Sequence, residues 1–173
     1  MSGIHLYESK HQESYELRIH HHPNYQPLYA IEGEGSIILN GGKHPLEQDN
    51  AVLILPYAEH AVSSDSNLTL LVLAFDAESF QTPVHLEADP PLFTQSELLR
   101  LSTFSANELR LLLRKLLFEQ GQKDALSGLA MRIYVQEILL LLARARGRRR
   151  RPMPIRCGRS GSEIISTYII TSR

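Results

Sequence analysis

The hydrophobic pattern of this chain changes its period near the middle, and that change limits the folds the sequence can adopt. From Ser14 to about Val84, short apolar runs alternate with turn-forming residues, at a spacing of roughly 8–12 residues. After Pro90 and Pro91, apolar residues recur every three or four positions instead. The pattern therefore predicts a mainly β fold, a sandwich or barrel, followed by an antiparallel pair of helices.

The first half of the sequence predicts about seven or eight short strands. Asn40-Gly41-Gly42 is a hairpin signal, because Asn and Gly tolerate the positive φ that tight turns require. The clearest predicted strands are Ser14–His22, Leu28–Ile31, Ser36–Leu39, Ala51–Leu55, Leu68–Phe75 and Thr82–Glu87.

Two helices are predicted in the second half. Thr94–Glu97 and Ser105–Glu108 both match a capping box, with Ser or Thr at the N-cap and Glu three residues later. The helix that follows the second box should end near Gly121, and Asp124 should cap another that runs to about Arg146. The short link between them makes the helices antiparallel neighbours.

The two predicted helices carry more apolar surface than one face of a β-sandwich covers, so we expect a homodimer built through them. The second helix is apolar nearly all round between Ile138 and Leu142. The residues predicted for the interface are Leu109, Leu112, Leu113, Leu116, Leu117, Ile138 and Leu142.

Charge divides the chain into an acidic body and a basic tail. Up to residue 143 there are nine Lys and Arg against eighteen Asp and Glu, whereas residues 144–173 contain nine Arg and one acidic residue, Glu163. Such a tail suggests an anionic partner or a linker to another domain. We therefore expect a β domain at 1–93, a helical segment at 94–146 and a basic linker at 147–173.

Cysteine content and apolar runs exclude several classes of protein. The single cysteine, Cys157, excludes a disulfide scaffold and a multi-thiolate zinc site. No run approaches the roughly 20 consecutive apolar residues of a membrane-spanning helix, and Met1–Lys10 contains no signal-peptide core. A cytoplasmic protein is the expectation.

Histidines form the most conspicuous polar cluster in the sequence. Residues two apart on a strand share a face, so His20 and His22 could share one metal ion, and His60 lies downstream in a later strand or turn. Gln26 follows His22 after three residues, and a neutral amide is a much poorer metal ligand than a carboxylate. We therefore expect surface or metal-free pocket histidines, no tightly bound catalytic metal and no cofactor.

These motifs resemble the cupin superfamily. The resemblance is carried by His20-x-His22 with Gln26, by the segment Leu28–Gly35, by Asn40-Gly41 and by Leu53–Pro56 followed by His60. In cupins the first motif supplies two histidines and a glutamate to a metal and the second supplies a histidine. By this resemblance His20, His22 and His60 match the metal-binding histidines and Gln26 replaces the glutamate, so a metal, if present, would have these four residues as ligands. Gln48-Asp49-Asn50 also departs from the pattern, because cupins usually have Pro-Gly-Asp there.

A cupin-like region followed by two helices and a basic link resembles, over about residues 14–146, the N-terminal half of AraC-type transcription regulators. The resemblance implies a jelly roll that binds a small effector, helices that form a dimer contact, and DNA binding by a separate helix-turn-helix domain. Ile164–Ile170 stands where that domain would begin, so we expect a fragment of a longer regulator without catalytic activity. Polar and aromatic residues around the barrel mouth are predicted to bind the effector: Arg18, His20, His22, Tyr29, Tyr57 and His60. The alternative is a small metal-dependent cupin enzyme, an isomerase or dioxygenase, that uses the three histidines.

Overall fold

Strands come first and helices second, as the change of period predicted. A computed structural model describes residues 3–76, 78, 93–122 and 124–149, and for residues 147–149 it describes the backbone only. The predicted strand Thr82–Glu87, the basic tail beyond residue 149 and Ile164–Ile170 lie outside these residues. The described elements are β1 (Ile4–His11), β2 (Gln26–Glu32), β3 (Gly35–Leu39), β4 (Gly42–Leu46), β5 (Asn50–Ile54), β6 (His60–Ser64), β7 (Leu68–Phe75), β8 (Glu97–Arg100), α1 (Thr103–Gly121) and α2 (Ala125–Arg149).

The described strands form two antiparallel sheets. A five-stranded sheet has the order β1-β7-β2-β5-β8, and a three-stranded sheet has the order β4-β3-β6. The predicted hairpin joins β3 to β4, with Asn40 at φ 51° and Gly41 at φ 76°. Gly33, before β3, has φ 86°, and a Cβ there would lie 2.0 Å from the Asn67 carbonyl oxygen, so this turn requires glycine.

The five-stranded sheet is buried on both faces. Because side chains alternate along a strand, Leu28, Val52 and Val72 belong to an inner core shared with the three-stranded sheet. Their neighbours in sequence, such as Leu53 and Leu73, belong to an outer core shared with the helices. This double burial explains why β5 and β7 are continuous apolar runs.

The helices are part of the outer core, and most of the residues predicted for the dimer interface lie in it. Leu116 has no exposed surface, and six of the seven residues predicted to contact a partner chain are buried in the single chain because the sheet covers the apolar face of the helices. Leu117 is the exception, with 54% of its surface exposed. The six buried residues are Leu109, Leu112, Leu113, Leu116, Ile138 and Leu142.

Two local predictions differ from the structure. Ser14–His22 contains isolated bridges at Glu16 and His20, and one edge strand of the five-stranded sheet is β1, which the sequence analysis did not predict. Thr94–Glu97 does not start a helix, because residues 97–100 pair with β5 to form β8 and extend the β region beyond residue 93.

The helix caps agree with the sequence only in part. The N-cap of α1 is Ser102, whose side chain accepts a hydrogen bond from Ser105 N, three residues before the predicted cap. Asp124 caps α2 as predicted, accepting hydrogen bonds from the main-chain nitrogens of Leu126 and Ser127. The Ser127 hydroxyl also donates to this carboxylate, and its hydrogen bond, followed by the two from the main chain, lowers the pKa of the Asp124 carboxyl.

Among the described residues, one helical segment, Ala125–Arg146, is long and apolar enough to cross a membrane by length and composition alone. In this structure its Met131, Val135 and Ile138 are buried in the outer core against α1 and the sheet. Arg146 near its C-terminal end forms an ion pair with Glu97 of β8 at 3.0 Å, which ties the helix to the sheet edge.

A polar triad joins the five-stranded sheet to α1. The Tyr29 hydroxyl on β2 donates a hydrogen bond to Asp49, and Arg110 on α1 forms an ion pair with the same carboxylate. The Arg110 guanidinium also lies over the Tyr29 ring, 5.8 Å from its centroid. Burial, with the Asp49 carboxylate adding to it, raises the pKa of Tyr29 well above its ordinary value, so the hydroxyl remains a donor at neutral pH.

Two adjacent leucines of α1 form a matched pair for mutagenesis, because Leu116 is buried and Leu117 is exposed. We expect Leu116→Ala to lower the free energy of unfolding by about 2–5 kcal/mol, because the side chain is fully buried. Leu117→Ala is the matched control and should change it by less than about 0.5 kcal/mol in the monomer. Urea unfolding followed by circular dichroism measures both; equal losses would contradict the placement of these residues.

The triad predicts a coupled pair of substitutions. Tyr29→Phe and Arg110→Met should each lower the free energy of unfolding by about 0.5–1.5 kcal/mol, since each removes one partner of Asp49. The double variant should lose less than the sum of the two, because the residues share this carboxylate. Urea unfolding of the four proteins gives the coupling free energy, and strict additivity would show that the triad does not act as a unit.

Candidate functional site

Three of the predicted site residues meet at one end of the sandwich. One ring nitrogen from each of His20, His22 and His60 lies within 4.8 Å of the other two. The ring centroids of His20 and His60 are 4.3 Å apart, and those of His22 and His60 are 4.8 Å apart. Mutual hydrogen bonds between the main chains of His20 and His60 bring the first two motifs together.

Main-chain carbonyls fix the orientation of each imidazole. His20 Nδ1 is 3.0 Å from the Arg18 carbonyl oxygen, and His60 Nδ1 is 3.0 Å from the Ala58 carbonyl oxygen. His22 Nδ1 is 3.2 Å from the Asn24 carbonyl oxygen. Because a carbonyl only accepts, each Nδ1 donates, and in the neutral ring the lone pair is on Nε2.

His60 is the most buried of the three histidines, with 2% of its surface exposed. Burial lowers the pKa of His60 to about 4; the Ala58 carbonyl partly opposes this shift, and the neighbouring histidines add to it. His60 is therefore neutral at physiological pH, and its Nε2 can accept a hydrogen bond or bind a cation.

Gln26 connects the histidines to β1. Its Oε1 is 2.6 Å from His22 Nε2, and its Nε2 donates to the Tyr7 hydroxyl at 3.3 Å. His22 can donate to both Asn24 and Gln26 only as an imidazolium. A neutral His22 places the lone pair of Nε2 against Oε1 unless the amide turns over, so this contact is sensitive to positive charge at the site.

A small cavity lies beside the histidines, between the two sheets. Its volume is about 90 Å³, and both polar groups and aliphatic residues such as Leu28 and Val72 line it. The polar lining residues are Tyr7, Ser9, His11, His20, Gln26 and His60. None of the lining residues is Asp, Glu, Lys or Arg.

Sequence reasoning missed the contribution of β1 to this cavity. Tyr7, Ser9 and His11 alternate with Ile4 and Leu6, which belong to the outer core, so the strand shows a two-residue period. That alternation was a readable signal in the sequence. Burial raises the pKa of Tyr7 and lowers that of His11, as expected for groups that line a partly enclosed cavity.

The other predicted effector-binding residues lie apart from the cluster. Side chains alternate along β2, and Tyr29 lies on the face that packs against the helices. It belongs to the outer core and does not line the cavity. Tyr57 is 69% exposed and lies beside His21, with ring centroids 6.4 Å apart. Arg18 is exposed, and it contacts the cluster through its main-chain carbonyl.

The donor set is compatible with a divalent transition-metal ion, the group that the cupin fold implies. Imidazole nitrogens suit Zn, Fe, Ni and Cu, and metal-binding histidines usually donate their second nitrogen to a carbonyl or carboxylate, as all three do here. The residues that would hold such an ion are His20, His22 and His60, with Gln26 as a weak oxygen ligand. A metal bound there would act as a Lewis acid.

Solved structures similar to this chain include several cupins. A cupin 2 conserved barrel domain protein from Salinispora arenicola is 18% identical, with a TM-score of 0.42 over 45% of this chain and 67% of that one. A cupin superfamily protein from Desulfitobacterium hafniense is 11% identical, with a TM-score of 0.41 over 44% of this chain and 74% of that one. A salicylate 1,2-dioxygenase from Pseudaminobacter salicylatoxidans is 12% identical, with a TM-score of 0.41 over 42% of this chain and 21% of that one.

Family membership rests on the sequence. No curated protein shows significant similarity to it. The family model described as AraC-like ligand binding domain matches residues 3–139, from the first strand to the second helix, and thus includes the cavity and the histidine cluster. As the resemblance predicted, the chain belongs to the AraC-like ligand binding domain family.

Proposed function

We propose that this chain is the small-molecule-sensing and dimerisation domain of a transcription regulator, and that it is not an enzyme. The observation that carries the proposal is the cavity between the sheets, which polar and aliphatic residues line in a chain of the AraC-like ligand binding family. Pockets of this composition orient a ligand through a few polar groups and bind it through apolar contact. A cavity of about 90 Å³ suits an effector of only a few non-hydrogen atoms.

Two strands could carry the binding signal from the cavity to α1. On β1, Tyr7 lines the cavity, while the Leu6 main chain exchanges two hydrogen bonds with the Gln120 side chain of α1. On β2, Gln26 lines the cavity, and Tyr29 reaches α1 through Asp49. An effector that binds one arrangement of these strands more tightly would shift the population of helix positions.

The proposed dimer uses a different helix face from the one the sequence predicted. Exposed apolar residues recur every seven positions on each helix, on the side opposite the outer core. We call these residues the heptad stripes: Phe104, Leu111 and Phe118 on α1, and Leu126, Ile133 and Leu140 on α2. A seven-residue apolar repeat is typical of helices that pack against helices, and a two-fold axis would place the same stripes on both sides of the interface.

In this proposal a separate helix-turn-helix domain contacts DNA. The protein is proposed to be cytoplasmic. The basic tail from Arg144 onward could add salt-sensitive contacts to phosphates. Its charge is opposite to that of the acidic body, which supports a role as a linker close to an anionic partner.

The second candidate is a metal-dependent cupin enzyme, favoured by the convergence of His20, His22 and His60. Metal analysis of untagged protein, together with an assay for isomerase or oxygenase turnover, separates the two. Stoichiometric metal with turnover would favour the enzyme and contradict the sensing proposal.

Effector binding should appear as thermal stabilisation. At about 100 times its Kd, a ligand that binds only the native state stabilises it by about 2.7 kcal/mol, which raises Tm by about 5–10 °C in a chain of this size. We expect a hit from a panel of small metabolites to lose this effect in His20→Ala and Tyr7→Phe. His44→Ala, an exposed histidine on β4, is the control and should keep it. A panel without any hit, or a hit that is insensitive to the cavity variants, would count against the proposal.

The heptad stripes predict how the dimer dissociates. Leu111→Glu and Ile133→Glu should each shift the mass measured by light scattering from about twice 19.6 kDa to the monomer value, because a charge would be buried at the interface. Circular dichroism should remain unchanged, since both residues lie outside the core. Lys43→Glu on β4 is the control for added charge. A monomeric wild-type protein at micromolar concentration would refute the dimer.

A further inference from the structure

A second concave site lies at the edge of the sandwich, where β8 of the five-stranded sheet comes close to β4 of the three-stranded sheet. This crevice has a volume of about 350 Å³ and is lined in part by the apolar residues Leu39, Pro45 and Leu98. The Asn40 amide nitrogen donates to the Ser96 carbonyl oxygen at 2.8 Å and so joins the two sheets beside it. Small-molecule sites usually measure about 300–1,000 Å³, so the crevice is large enough to hold a ligand.

Strand alternation turns two basic side chains toward the crevice. Arg100 lies two residues after Leu98, which packs against the inner core, and His44 lies two residues before Leu46, which belongs to that core. A Cβ at Gly42 would lie 3.2 Å from His44 Nε2, so the missing side chain at Gly42 leaves room for the imidazole. Neither Arg100 nor His44 forms an ion pair with a carboxylate of the described residues.

The other polar groups of the crevice add hydrogen-bond donors. Ser96 is 2% exposed, and its hydroxyl oxygen accepts from the Leu55 main-chain nitrogen at 2.9 Å, while no acceptor for the hydroxyl proton is found among the described residues. Asn40 has a second amide proton besides the one that it donates to Ser96. The one acidic lining residue, Glu97, forms an ion pair with Arg146 at 3.0 Å, so its charge is already balanced. The crevice therefore offers positive charge and donors to an acceptor.

We infer that this crevice is a second small-molecule site, separate from the cavity beside the histidines, and that it binds a small organic carboxylate. The Arg100 guanidinium binds the carboxylate through two parallel hydrogen bonds, and a ring N–H of His44 donates to it from β4. The apolar body of the ligand lies against Leu39, Pro45 and Leu98. The inference goes beyond the proposed sensing function and does not depend on it.

The test is a titration of isotope-labelled, untagged full-length protein with cyclohexanecarboxylate or cyclohexanecarboxamide, followed by amide correlation NMR spectra. The two compounds have nearly the same shape and differ in charge. We expect the carboxylate to shift the amide signals of residues 39–40 and 96–100 and to saturate at millimolar concentration. Its Kd should be at least about tenfold lower than that of the carboxamide, because hydrogen bonds between charged groups are the stronger ones.

Variants assign the binding to Arg100. Arg100→Gln should raise the carboxylate Kd at least about tenfold, and since the side chain is exposed, the rest of the spectrum should stay unchanged. Arg100→Lys should lose less, because it keeps the charge and gives up only the paired hydrogen bonds. Lys43→Gln is the matched control, since it removes one exposed positive charge from β4 at a position that does not line the crevice.

Each outcome decides for or against the crevice. No saturable binding, an equal Kd for the two compounds, or a Kd that is unchanged in Arg100→Gln would overturn the inference. His20→Ala separates this site from the cavity beside the histidines and should leave the carboxylate Kd unchanged. Binding that is lost in His20→Ala, with shifts confined to the residues around that cavity, would also overturn the inference, while it would support the proposed sensing function.

Discussion

Burial of the five-stranded sheet on both faces is the constraint on which the rest of this structure depends. One face packs on the three-stranded sheet and the other on α1 and α2, so every central strand contributes to two cores at once. Removing the helices would expose Leu53, Leu73 and Phe75 to water. Burial of large apolar side chains is worth about 1.5–3 kcal/mol each, so the β part depends on the helices for stability.

The same arrangement places the candidate site where it can influence the helices. The histidines are held by main-chain carbonyls two residues away in the sequence, while Gln26 and Tyr7 belong to strands whose other face contacts α1. The polar triad of Tyr29, Asp49 and Arg110 and the hydrogen bonds between Leu6 and Gln120 are directional contacts between the sheet and α1. Apolar contacts tolerate sliding more readily than these polar contacts, so the polar contacts define the position of α1 on the sheet.

The sequence was sufficient for the order of elements, the β3–β4 hairpin and the shared face of His20 and His22, because these depend on local turn chemistry and on strand parity. The meeting of His60 with these two histidines was implied by the resemblance to cupins. It was insufficient where a segment distant in the sequence determines the local structure or covers an apolar face. Thr94–Glu97 has a capping signature, yet β5 recruits residues 97–100 as a strand. Periodicity identified the apolar face of α1 but could not tell whether the sheet or a second chain covers it. Leu28–Ile31 is apolar on both faces, so the direction of Tyr29 could not be read from the pattern.

Strand parity also determines how this protein can change its specificity. On β2 the even-numbered residues Gln26 and Leu28 face the cavity and Tyr29 belongs to the outer core, while on β1 Tyr7 and Ser9 face the cavity and Leu6 belongs to the outer core. Substitutions at cavity positions can therefore alter ligand preference without disturbing the surface on which α1 rests. A combinatorial library that varies only the cavity-lining positions of each strand would sample new ligand contacts while the rest of the fold stays the same. Natural sequences can diverge at these positions in the same way.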